Sequence, residues 1–204
     1  MEKHIYHIPV FAIDKTREGI DLSEFCNEAE ELLPRKLLQN VEVVYIGNFP
    51  ELTDRNAAYT DGAIYMTAEE PTIFDMLENF VHEIAHSLED HHGAQIYTDS
   101  LRSEFLSKRH TLYRLLKGEG YHINPKLYSV LEYNEEFDNF LANEVGYPTL
   151  VTLTLGLFVS PYGATSLQEY FANGFENYFL ESPRLVEQIS PALYAIIESI
   201  VQDD

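Results

Sequence analysis

The stretch from Thr72 to Gly93 constrains the fold of this chain more than any other part of it. Ile73, Leu77, Phe80, Val81, Ile84 and Leu88 recur at helical spacing. Thr72, followed three residues later by Asp75, fits a capping box at the start, and Gly93 predicts a stop just past the end. A helix with one apolar stripe lays that stripe on a neighbouring layer and turns its other side away. His82 and His86 fall on that other side, opposite the stripe through Leu77, Phe80, Ile84 and Leu88. Two histidines that merely filled a core would sit on the stripe.

Strands precede this helix and helices follow it. Residues 4–12, 41–49 and 62–67 read as strands, with Pro9 pointing to a sheet edge. Residues 22–38 read as an acidic amphipathic helix capped by Asp21 or Ser23. Downstream, residues 100–117, 125–145, 166–179 and 183–201 carry helical patterns, and Gly118 and Gly120 break the first of them. Residues 149–159 suit a helix or a buried strand and are assigned to helix. The order implies an α+β domain with a small mixed sheet, an active-site helix and a helical C-terminal half. A length of 204 residues fits one domain, organised as a sheet part (1–70), the helix (71–93), a helical insert (94–161) and closing helices (162–204).

Composition narrows the function classes. Thirteen Lys and Arg stand against 34 Asp and Glu, a formal net charge of −21. Such a field repels phosphate backbones and argues against a nucleic-acid partner. The single cysteine, Cys26, permits no intrachain disulfide. The first residues lack the apolar core and cleavage site of a secretion signal. The weakly polar run at 147–162 is interrupted by Pro148, Gly156 and Pro161 and is too short to span a bilayer. The expectation is a soluble, cytoplasmic monomer without a membrane partner, with phage association or non-classical export as other possible settings.

The chemistry rests on His82-Glu83-Ile84-Ala85-His86, an H-E-x-x-H pattern. Residues four apart share a helix face, so two imidazoles can reach one zinc ion. Glu83 lies about 100° further around the axis. It misses the metal yet can meet a water held there and take its proton. A third ligand has two candidates. His92 has the metzincin spacing, but Glu89 stands where that pattern needs glycine, and Met1, Met66 and Met76 all precede the motif, so no methionine turn follows. Glu169 lies in Ser166-Leu167-Gln168-Glu169-Tyr170-Phe171-Ala172-Asn173-Gly174-Phe175, at the edge of an apolar helix face. A carboxylate there is costly to desolvate without a cation, which a His-His-Glu zinc site would supply. On spacing alone it is equally a solvated helix residue.

The stretch Tyr162-Gly163-Ala164-Thr165-Ser166-Leu167-Gln168-Glu169-Tyr170-Phe171-Ala172, taken with the H-E-x-x-H pattern, resembles a family of zincin-like zinc metallopeptidases. That family, of the gluzincin type, includes the catalytic domain of anthrax lethal factor and the clostridial Pro-Pro endopeptidases. The resemblance implies a zincin-like fold, Zn2+ held by His82, His86 and Glu169, Glu83 as general base, and Tyr162 as a donor to the developing oxyanion. It covers residues 82–86 and 162–175 well and the preceding strands loosely. The chain departs from the family at Asn173, where an acidic residue is common; a neutral amide there can still orient a histidine. It departs again in the long insert between the two motifs.

The expected activity is peptide-bond hydrolysis on a peptide or protein substrate, with residues 62–67 as the edge strand that receives an extended peptide. The alternative is a non-catalytic structural, phage or surface protein that keeps the zinc site. The negative field is expected to draw cationic peptides faster than neutral ones. Raising salt should then slow turnover of a Lys-rich peptide while leaving a neutral one unchanged, and equal salt responses would remove the idea.

Overall fold

The computed structural model describes residues 2–53 and 55–202, and the chain divides into two compact units, residues 1–91 and 92–204. The protein is α+β, with a mixed five-stranded sheet in the first unit and helices through most of the remainder. Among the described residues no helix is long and apolar enough to cross a membrane.

In the first unit, β1 (Glu2–Ile5), β2 (Ile8–Ala12), β3 (Val43–Ile46), β4 (Ala57–Thr60) and β5 (Ala63–Met66) lie in the order β1-β2-β3-β5-β4. The pairs β2–β3 and β3–β5 are parallel, and the two outer pairs are antiparallel hairpins. Residues 4–12 therefore hold a hairpin instead of one strand. The chain reverses at Tyr6, whose φ of 53° is unusual for a residue with a side chain. The second hairpin turns on Asp61 (φ 47°) and Gly62 (φ 81°), the left-handed pair that a two-residue turn between twisted strands needs.

This hairpin corrects the peptide-binding expectation for residues 62–67. β5 is flanked by β3 and β4, so both of its edges are paired, and the outer strand on that side is β4. Val10, Val44, Ile46, Ile64 and Met66 alternate onto the buried face. Phe11, Tyr45 and Tyr65 stack across neighbouring strands on the opposite face, with ring centroids 5.9 and 5.5 Å apart.

Helix α1 (Leu22–Leu32), capped by Asp21 on the Ser23 amide, stops well short of residue 38. Leu33 is extended because Pro34 disfavours a helical residue before it, and a 3₁₀ turn (Arg35–Leu38) follows. Helix α2 (Ile73–Ile96) starts at the expected box: the Asp75 amide donates to Thr72 Oγ at 3.1 Å. Leu77, Phe80, Val81, Ile84 and Leu88 are buried, and Phe80 meets Phe25 of α1 edge to face. The helix passes through Gly93 and ends at Ile96. Gly93 stays right-handed, and its carbonyl accepts from the Tyr97 amide at 2.9 Å, so the left-handed turn of a glycine stop never forms.

The second unit centres on α3 (Asp99–Gly118), which packs on α5 (Tyr147–Thr154), α6 (Leu167–Leu180) and α8 (Pro191–Gln202). The helix expected at 125–145 is broken. A 3₁₀ turn (Pro125–Ser129) leads to α4 (Glu135–Asn139), which runs into a π-helical turn (Phe140–Gly146). Asn134 causes one break by capping α4 on the Phe137 amide, a role its short amide side chain prefers to a helix interior. The last helix is also two, α7 (Pro183–Ile189) and α8, because Pro191 has no amide to donate and is tolerated only at a helix start.

Charged side chains tie these helices together. Glu104 on α3 accepts from the Ala192 and Leu193 amides at the start of α8 and from the Tyr170 hydroxyl of α6. Lys108 donates to the carbonyls of Leu157 and Ile189, both at 2.6 Å. Its burial lowers the ammonium pKa to about 8. Where α6 crosses α8, Gly174 lets the helices close up: a Cβ there would sit 2.2 Å from Leu193 Cδ2 and 2.9 Å from Leu193 Cγ. Gly174→Ala is expected to cost about 1–3 kcal/mol through this overpacking. That outweighs the ~1 kcal/mol of added helix propensity. Thermal unfolding should show a lower Tm; an unchanged or raised Tm would show that Leu193 swings aside freely.

Candidate metal centre

His82 and His86 project from one face of α2, as the four-residue spacing requires, and both are half-buried. Their Nε2 atoms lie 3.2 Å apart, with the rings steeply inclined at 75°. Two nitrogens each about 2.0–2.1 Å from a tetrahedral zinc stand about 3.3 Å apart, so this pair fits one edge of such a coordination shell.

A residue that the sequence reading passed over sets the orientation of His86. Nδ1 of His86 lies 2.7 Å from Glu89 Oε1, one turn further along α2. An imidazole that gives its Nδ1 proton to a carboxylate presents Nε2 as a lone-pair donor, the tautomer a metal needs. Glu89 also occupies the place where a metzincin would have glycine, so the residue that excludes one pattern supports another. The signal was available as an acid three residues after the second histidine, which helical geometry places beside it.

Glu83, 8% exposed, points to the sheet side of α2. Its Oε2 accepts from the backbone amide of Tyr59, on the outer edge of β4, at 2.7 Å. The same strand also holds α2 one turn beyond the motif: the Tyr59 hydroxyl donates to Asp90 at 3.1 Å. Asn40 donates to the Ser87 carbonyl at 2.8 Å, and Ser87 itself is fully buried. The carboxylate expected to act as general base is thus fixed by a main-chain donor from a strand that the sequence did not reveal. His91 is exposed, near the end of α2.

In the second unit, Glu169 occupies the third position of α6 and is half-buried. Its amide donates to Ser166 Oγ at 3.1 Å, so Ser166 is the cap from which the motif helix starts. Tyr162 opens a 3₁₀ turn (Tyr162–Ala164) immediately before that cap. The Tyr162 carbonyl accepts from the Thr165 amide at 3.0 Å and from its hydroxyl at 2.8 Å. Asn173, one turn along α6 from Glu169 and 4% exposed, accepts the Ser160 hydroxyl. That bond holds residue 160 onto α6.

A second tyrosine shares this neighbourhood. Burial raises the Tyr147 hydroxyl above its ordinary pKa, and the charges of Asp138 and Glu169 raise it further. His92, the metzincin candidate, meets Gln95 Oε1 through Nδ1 at 3.0 Å.

Comparison with protein-family models, curated proteins and solved structures found no match.

The Glu89 contact carries a test of its own. Glu89→Ala is expected to weaken binding of added zinc or cobalt by roughly 10–100-fold, the usual cost of losing a carboxylate behind a ligating histidine. Chelator competition reads the affinity; an unchanged value would show that Glu89 does not tune the pair.

Proposed function

We propose that the protein is a zinc-dependent endopeptidase with a zincin-like domain of the kind its motifs resemble. The observation that carries this reading is the His82–His86 pair, two imidazoles from an H-E-x-x-H helix whose Nε2 atoms stand 3.2 Å apart. Support also comes from Glu169, which stands where the family that the motifs resemble has its third ligand, on a helix started by the Ser166 cap. Two neutral nitrogens and one carboxylate suit zinc and leave its fourth position open. When bound, zinc would act as a Lewis acid on the scissile carbonyl and lower the pKa of a water molecule.

The chain's own groups then do the following work. Glu83, oriented by the Tyr59 amide, accepts the proton of the attacking water and returns it to the leaving amine. Tyr162 donates a hydrogen bond to the oxygen that gains negative charge as the carbonyl becomes tetrahedral. Glu89 keeps the His86 ring in the ligating tautomer. The substrate would be an extended peptide or protein.

A non-catalytic protein retaining zinc for structure is the competing reading, and the two differ at one residue. Glu83→Gln preserves shape and removes the base. The peptidase reading expects cleavage of a mixed peptide library to fall roughly 100- to 10,000-fold in that variant, with one zinc still bound. Cuts should also stop when a chelator is added to the native protein. Stoichiometric zinc in both proteins with no cleavage by either would favour the structural reading.

A further inference from the structure

Arg109 on α3 is 1% exposed, and among the described residues no carboxylate meets it. Its donors go to main-chain carbonyls instead: Nη1 to Ala164 at 2.6 Å and Thr165 at 3.1 Å, and Nη2 to Leu127 at 2.5 Å. The guanidinium lies 3.9 Å from the ring centroid of Phe137, with Phe105 at 5.3 Å. Burial lowers its pKa to about 10, which leaves it charged at neutral pH. Removing a guanidinium from water is costly, and an apolar side chain of similar volume would fill the same space more cheaply. What an apolar side chain cannot do is bind three carbonyls at once from a rigid, planar fork.

Two of those carbonyls belong to the short link between Tyr162 and Glu169. Ala164 and Thr165 close the 3₁₀ turn that Tyr162 opens, and the next residue, Ser166, caps the helix on which Glu169 stands. Ser160 is held to Asn173 just upstream. The Leu167 amide donates to the Leu131 carbonyl at 2.7 Å just downstream. Within the link, the Ala164 amide donates to the Pro161 carbonyl at 3.1 Å and Thr165 bonds the Tyr162 carbonyl, both local bonds, whereas Arg109 reaches it from α3.

We infer that Arg109 is a positioning residue for Glu169: by holding the Ala164 and Thr165 carbonyls it fixes the start of α6 in the register that lets Glu169 ligate the metal. This rests on the function proposed above, in which Glu169 is a zinc ligand. Arg109 touches neither substrate nor metal in this scheme and acts only through the main chain.

The test is zinc affinity of the intact protein, measured by chelator competition, for Arg109→Lys, Glu169→Ala and the double variant. Circular dichroism of the metal-free proteins reports whether each is folded. Arg109→Lys keeps the charge but loses the fork, and a roughly tenfold or greater loss of affinity is expected, as when the support behind a ligand is removed. Glu169→Ala should lose more, and adding Arg109→Lys to it should cost less than about twofold further, because both act through one ligand. Unchanged affinity in a folded Arg109→Lys protein, or the same loss with and without Glu169, overturns the inference. If Arg109→Lys does not fold, Phe137→Leu removes the ring beneath the guanidinium while keeping Arg109. A several-fold loss confined to proteins that have Glu169 is then expected, and no loss overturns the inference. Failure of the underlying reading looks different: native protein without zinc, or Glu169→Ala with full affinity, removes the ligand assignment and this inference with it.

Discussion

Helix α2 has to satisfy two demands with one periodicity, and the first unit is organised around that constraint. Its apolar residues must be buried, which fixes the rotation of the helix about its axis. Once the rotation is fixed, His82 and His86 can only emerge on the opposite side, one turn apart and close enough to share an ion. Glu83, a third of a turn away, is carried toward the sheet, where β4 offers it a main-chain amide. Shifting the apolar pattern by one residue would move all three groups together and destroy the site without changing any of them.

In each unit, charged side chains are held by main-chain groups. The Glu83 carboxylate is held by an amide of a strand edge, a donor that no substitution other than proline removes. Arg109 and Lys108 are buried against carbonyls instead of acids. Glu104 is occupied by amides at the start of α8. Such bonds use full or partial charge to fix backbone at helix ends, where four donors or four acceptors otherwise lack partners. They fit a chain whose second unit is made of short helices with many ends to satisfy.

Parts of this architecture were legible because the cues are local. The Thr72–Asp75 pair and the helical period of residues 73–88 depend on neighbours within a turn, and the structure has both. Asp61-Gly62 was equally local, since that dipeptide favours a two-residue hairpin turn, and taking Gly62 as the start of a strand hid β4. With β4 hidden, residues 62–67 took the place of an edge strand. The helix expected at 125–145 failed differently. Its apolar pattern is real, but Asn134 found a cap and the Leu131 carbonyl found the Leu167 amide, 36 residues away in the chain by the arithmetic 167 − 131.

By itself the sequence determined the phase of α2, the identity of the paired histidines, the cap that starts α2, and the α+β class. All of these follow from bonds and periodicities that close within a few residues. Only the tertiary structure decided that β5 is an inner strand, that Tyr59 holds Glu83 and that Arg109 holds the link before Glu169. Those depend on partners brought from distant positions, and a one-dimensional pattern shows which groups need a partner without showing which partner burial will supply.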